Sequence, residues 1–212
     1  MSIRVLLADD HALMRQGLRA LLTATGEIEV VGEVGTGREA ERLVLELNPG
    51  VVLMDIAMPD LNGIEAARMI HLKSPATRIV MLSMHVSAEY VYRAFEAGAC
   101  GYLLKEMAVD EVITAVRTVH AGKQYLSPAL AGSVPDPCAS RGRSPVDSLS
   151  TRERQVLQLV VEGRTSSEIA HMIHLSPKSV DTYRSRLMAK LGVSDLPALV
   201  KFALGHGLTL PP

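Results

Sequence analysis

Two rhythms alternate along the first 121 residues. Short apolar, β-rich runs at 3–8, 30–34, 51–54, 79–82 and 102–104 are each followed by a segment with helical spacing, at 13–23, 38–47, 64–72, 88–97 and 109–121. Five strands alternating with five helices predict a parallel sheet covered on both faces, an α/β architecture. Unbroken runs such as VVLM and IVML fit strands buried on both sides. Gly32, Gly50, Gly63, Gly98 and Gly101, with Pro49, Pro59 and Pro75, punctuate the turns.

The rhythm then stops. Residues 127–148, SPALAGSVPDPCASRGRSPVDS, are rich in Pro, Ser, Gly and Ala and carry no apolar period. They predict a flexible linker over 123–146, between one domain at 1–122 and another at 147–212. From Leu149 onward the pattern is all helical. Ser150 with Glu153, and Thr165 with Glu168, read as capping boxes. Ser176 before Pro177 reads as an N-cap followed by proline at the first helical position. Val180, Leu187 and Leu191 give that helix its buried side, and Gly192 ends it. A helix at 169–174, a tight turn at 175–176 and a longer helix form a helix-turn-helix outline. A fourth helix, capped by Ser194, is expected through about Leu204.

Composition narrows the class. A chain of 212 residues, 48% of them hydrophobic, can fill two cores. The net charge of −1 hides an asymmetry. Residues 1–126 carry 12 Lys/Arg against 16 Asp/Glu, whereas residues 146–212 carry 8 against 6. The mildly basic back half points toward a polyanion. Two cysteines, Cys100 and Cys138, make neither a metal pattern nor a disulfide framework. No apolar run reaches the ~18 residues of a membrane span, and the start MSIRVLLADDH turns acidic too soon for a signal peptide. A soluble, cytoplasmic protein with no membrane partner is expected.

The candidate chemistry sits where the front runs end. Asp9-Asp10, Asp55, Ser83 and Lys105 each close or follow one strand, and parallel sheets bind ligands at that edge. Three close carboxylates repel one another unless a divalent cation joins them, so the set predicts a Mg²⁺ site. Asp55, before a loop with Pro59 and Gly63, is the natural nucleophile for phosphoryl transfer. Asp10, Asp9 through water, Asp55 and the Ala57 carbonyl would hold the metal. Lys105 would meet the phosphoryl group as a point charge, and Ser83 would donate a hydrogen bond to it. Singly, these residues read as helix caps, a turn serine and a solvent-facing lysine; one set at each strand end is hard to explain that way.

LLADDH, LMDIAMPDLNG, LSMH and AGACGYLLK resemble the receiver domain of two-component response regulators. LSTRERQVLQLVVEGRTSSEIAHMIHLSPKSVDTYRSRLMAKLGV resembles the LuxR-type DNA-binding domain. The combination resembles the NarL/FixJ subfamily and covers nearly all of the chain except the linker. It implies a flavodoxin-like five-stranded sheet in the order 2-1-3-4-5, a histidine kinase that phosphorylates Asp55, and Tyr102 as a switch aromatic. Tyr102 would turn inward as Ser83 moves toward the phosphoryl group. Glu106 stands where many receivers have proline.

A recognition helix needs polar side chains toward base edges and cations toward phosphates. The outer face of the helix from Pro177 offers Lys178, Asp181, Thr182, Ser185 and Arg186. Lys178, Arg184, Arg186 and Lys190 are expected at phosphates. By resemblance, Asp181, Thr182 and Ser185 read bases and Tyr183 meets a phosphate. Ser166-Ser167 replaces a common Asn-Lys, so a phosphate contact is missing. The resemblance also implies homodimerisation through Leu196, Leu199, Val200 and Ala203 on an inverted repeat of double-stranded promoter DNA, with RNA polymerase a further candidate partner. Two rivals remain. A phosphatase with Asp55 as covalent intermediate typically needs a general acid two residues on, where this chain has Ala57, so a non-enzymatic regulator is favoured. A DNA-binding protein with a vestigial receiver is disfavoured by the intact acidic set.

Overall fold

The computed structural model describes residues 2–106, 109–131 and 145–205. The chain divides into two compact units, Met1–Ala139 and Ser140–Pro212. In the first, strands and helices alternate: β1 (Ile3–Ala8), α1 (Ala12–Ala24), β2 (Ile28–Val34), α2 (Gly37–Leu47), β3 (Val51–Asp55), α3 (Gly63–Lys73), β4 (Arg78–Ser83), α4 (Ala88–Glu96), β5 (Gly101–Leu104) and α5 (Val109–His120). A two-residue β6 (Tyr125–Leu126) follows. All pairings are parallel, in the order β2-β1-β3-β4-β5-β6.

The side-chain period of two along each strand divides the core. Leu6, Val52, Met54, Ile79, Met81 and Tyr102 face α2, α3 and α4. Val5, Leu7, Leu53, Val80, Leu82 and Leu103 face α1 and α5. Strands buried on both faces account for the unbroken apolar runs.

The sheet therefore extends the expected order by one strand. The expected linker is also shorter at both ends. Tyr125 N–H donates to the Cys100 carbonyl at 2.9 Å and Ser127 N–H to the Tyr102 carbonyl at 3.0 Å. A 3₁₀ turn, Pro128–Leu130, then seats Leu130 in the first core layer. Val146 and Leu149 are buried in the second unit's core. Two residues are too few to show a strand period, so pairing with β5, rather than local pattern, makes the element. Residues 132–144 of the expected linker lie outside the described residues.

The second unit holds α6 (Thr151–Val161), α7 (Ser166–Met172), α8 (Pro177–Leu191) and α9 (Leu196–Gly205). Both expected capping boxes form, at Ser150/Glu153 and Thr165/Glu168. Ser176 caps α8, which Gly192 ends in the left-handed region at φ 67°. The α7–α8 turn places His174 at φ 55°. One cap differs from expectation: Asp195, not Ser194, accepts from the Ala198 N–H at 2.8 Å and starts α9. Among the described residues no helix is long and apolar enough to cross a membrane.

Gly63 starts α3 directly behind Asp55. A Cβ there would run into the Asp55 carbonyl and stand 3.0 Å from Met54 Cγ. Neither neighbour can give way, because both belong to the buried β3. Gly63→Ala should cost about 2–3 kcal/mol through overpacking, seen as a lower urea midpoint for the unfolding transition of the first unit.

Candidate functional site

Strand register brings the site together. Ala8 pairs with Met54, Asp55 with Leu82 and Ser83 with Leu104. Asp9 and Lys105, each one residue past a strand end, therefore flank Asp55 from either side. Lys105 Nζ lies 2.8 Å from Asp9 Oδ2 and 2.7 Å from Asp55 Oδ2, and all three side chains are buried. Neither carboxylate oxygen has an aligned hydrogen bond, so these contacts are ion pairs by distance. Asp9 Oδ1 accepts from the His11 N–H at 2.8 Å, and Asp55 Oδ1 from the Ala57 N–H at 3.1 Å. Asp10, more exposed, has its Oδ1 2.7 Å from His11 Nδ1.

One buried ammonium cannot balance two buried carboxylates and a third at the rim. Burial raises the Asp55 pKa above its ordinary value; Lys105 opposes this and Asp9 adds to it. Burial pulls Lys105 the other way, but its contacts with Asp55 and Asp9 outweigh burial and hold its pKa above normal. Asp9, Asp10, His11 and Asp55 can each bring a ligand atom within 4.8 Å of the others. The three carboxylates of this set, oxygen donors with surplus negative charge, suit a small, hard divalent cation, and His11 is the set's nitrogen donor beside them.

Ser83 and Tyr102 form a second cluster beside this one. Ser83 Oγ accepts from the His85 N–H at 3.0 Å. Tyr102 is fully buried, and its hydroxyl donates to the His85 carbonyl at 3.0 Å. Burial pushes the Tyr102 pKa far up, keeping the phenol protonated. Its ring thus points into the core, the inward position that the resemblance implies for a phosphorylated receiver. The His85 imidazole stacks on Tyr90 of α4, ring centres 4.4 Å apart and nearly parallel. Burial also lowers the His85 pKa, with Asp55 opposing. Tyr90 escaped the sequence reading because the loop between β4 and α4, not spacing, brings it to His85. Beside the carboxylates, α1 and α5 border an apolar cavity of about 700 Å³ lined by Leu13, Met14, Leu18, Met84 and Val112.

On α8, Lys178, Asp181, Thr182, Ser185 and Arg186 are exposed, as expected, while Tyr183 and Arg184 are half-buried. Two placements correct the sequence reading. Lys190, expected at a phosphate, lies 2.7 Å from Glu153 Oε2 and 3.1 Å from the Ser148 carbonyl, because Glu153 is a buried cap carboxylate. Leu199 and Ala203, expected at a dimer face, are fully buried in the core with α6; Leu196 is exposed and Val200 half-exposed. Asp181 is engaged as well: Ser166 Oγ donates to its Oδ1 at 2.6 Å.

Above the raised pKa of Asp55 the folded protein carries the full penalty of its ionisation; the penalty fades as pH falls through that pKa toward the ordinary 3.8. Asp55→Asn leaves Lys105 and Asp9 as a matched pair. It should raise stability at pH 7 by about 1–2 kcal/mol, a gain that shrinks on acidification, measured by urea denaturation across pH.

Comparisons with known proteins agree with this division. Residues 5–117 match the response regulator receiver domain, and residues 147–203 match the bacterial regulatory proteins of the luxR family. The transcriptional regulatory protein MctR of Rhizobium johnstonii is 39% identical over 206 residues, covering 97% of this chain and 95% of that protein. The response regulator UvrY of Escherichia coli is 37% identical over 210 residues, covering 97% and 95%. A solved structure of two RcsB dimers bound to two parallel DNAs aligns with TM-score 0.60 at 25% identity, covering 97% of this chain and 99% of that one. With its acidic strand-end site and its helix-turn-helix unit both accounted for, the chain belongs to the response regulators that join a receiver domain to a luxR-family domain.

Proposed function

We propose that Asp55 accepts a phosphoryl group from a histidine kinase and that this switches DNA binding by the second unit. The observation that carries the reading is the Lys105 ammonium bridging buried Asp9 and Asp55, with Asp10 beside them. A carboxylate oxygen of Asp55 forms the new P–O bond, and the bond to the donor histidine nitrogen breaks with its electron pair leaving on the donor. Mg²⁺, held by Asp9, Asp10, Asp55 and the Ala57 carbonyl, would neutralise phosphoryl oxygens. Lys105 orients the group as a fixed point charge. Ser83 gives it a hydrogen bond through its hydroxyl proton, and because its oxygen accepts from the His85 N–H, movement of Ser83 toward the group pulls on the loop at His85. The loop carrying His85 then shifts against Tyr102 and Tyr90, which carry the change to α4. The apolar surface around Leu13 and Met84 beside the carboxylates suits a kinase helix.

In the second unit, Lys178, Arg184 and Arg186 contact phosphates with Tyr183, while Asp181, Thr182 and Ser185 face base edges. RcsB, seen as dimers on DNA, supports binding as a homodimer, with Leu196 and Val200 the part of α9 left for a second copy. A kinase-fed regulator of promoter DNA works in the cytoplasm.

The test is to mix the protein with Mg²⁺ and a labelled phosphodonor, beside Asp55→Asn, and follow phosphoprotein and DNA binding together. Wild type should be labelled and bind promoter DNA at least tenfold tighter; Asp55→Asn should do neither. Equal labelling of the variant, or labelling with no change on DNA, sinks the reading. Affinity should fall with salt with a slope near −0.9 per phosphate neutralised. The Ala57 side chain has no polar group to position a hydrolytic water, so the phosphoprotein should decay over minutes or longer. Decay within seconds after removal of the donor would exclude that role for Ala57.

A further inference from the structure

We infer that Ser166 is a positioning residue for base recognition: its hydroxyl fixes the Asp181 carboxylate as an acceptor for an exocyclic amine, on cytosine or adenine, in the major groove. The inference rests on the DNA-binding reading above and adds a residue from outside the recognition helix.

The hydrogen bond spans the helix-turn-helix. Ser166 is the first residue of α7, and its Oγ donates to Asp181 Oδ1, 15 residues along, at 2.6 Å. Both ends are anchored. Next to Ser166, Thr165 is committed to the capping box, with Thr165 N–H and Oγ both 2.7 Å from Glu168 Oε2. The Thr165 hydroxyl thus serves the cap, leaving that of Ser166 to reach α8. Next to Asp181, Val180 is fully buried, and Ile169 and Ala170 of α7 are buried in the same core. The two helices cannot slide without disturbing that core, so the hydrogen bond holds one carboxylate rotamer.

With Oδ1 engaged, Asp181 makes no other hydrogen bond or ion pair among the described residues. Its second oxygen is an acceptor without a counter-ion on a surface proposed to meet DNA. Such a group gains only from a donor. In the major groove, cytosine N4 and adenine N6 donate, whereas guanine offers N7 and O6 and thymine offers O4, all acceptors. The carboxylate therefore rewards an amine and repels a base that lacks one, so it discriminates by rejection as much as by attraction. Without Ser166 the side chain gains rotamers that swing it toward solvent, relieving the repulsion and blurring the choice.

The experiment uses the full-length phosphorylated protein and a pool of randomised duplex DNA. Preferred sites are selected for wild type, Ser166→Ala, Ser166→Thr and Asp181→Ala, and affinities are then measured on duplexes differing at single base pairs. Wild type should favour cytosine or adenine at one position per half-site by about tenfold, at the lower end of what a good side-chain–base contact gives. Asp181→Ala should abolish that preference. Ser166→Ala should weaken it severalfold at that position while keeping the preferences at the others, and Ser166→Thr, which retains a hydroxyl, should restore it. An unchanged profile for Ser166→Ala overturns the inference, as does a loss spread evenly over all positions. If wild type itself shows no sequence preference, the base-reading role of α8 fails together with the inference.

Discussion

A single ammonium shared by two buried carboxylates sets the terms for the first unit. Lys105 sits 2.8 Å from Asp9 and 2.7 Å from Asp55, at the ends of three different strands. It can do so because parallel register delivers β1, β3 and β5 to one edge, and a compact ammonium fits between two carboxylates where a planar guanidinium would not. The arrangement leaves negative charge in excess. That excess opposes folding in isolation, and it prepares the edge to welcome cations and the groups they accompany.

The neighbouring cluster is linked to this edge through short bonds, not through bulk movement. The Ser83 hydroxyl holds the start of the β4–α4 loop through the His85 N–H, and the Tyr102 hydroxyl holds the same residue through its carbonyl. His85 then rests its ring on Tyr90. One loop residue is thus gripped by the site, by the core and by α4. On the proposed reading, a ligand that draws the Ser83 hydroxyl toward itself alters one grip and leaves the others to settle around it, which is the requirement for a two-state surface.

Much of this was legible in the sequence. Strands buried on both faces announce themselves as apolar runs, and Asp9, Asp10, Asp55, Ser83 and Lys105 stand out because each closes or follows one; that β1, β3, β4 and β5 lie side by side, so that these residues meet, came from the family resemblance. Caps at Ser150, Thr165, Ser176 and Gly192 were legible because their partners lie within one turn. What escaped depended on distant partners. Lys190 looks like a phosphate contact until Glu153, 37 residues away, is folded beside it. Leu199 and Ala203 have the spacing of a helix stripe, but spacing does not say whether that stripe faces α6 or a second copy. The Ser166–Asp181 bond and the Tyr90–His85 stack belong to the same class.

The short β6 has a consequence for the sheet's margin. An unpaired strand edge is a template for pairing with other chains. β5, which carries Tyr102, would present such an edge, but the chain turns back and covers it with Tyr125 and Leu126, then closes the adjoining core with Leu130. A receiver fragment cut at residue 122 would lose this cover. It would bare the backbone of β5 and an apolar hollow beside it, and would be prone to aggregate for reasons unrelated to its chemistry.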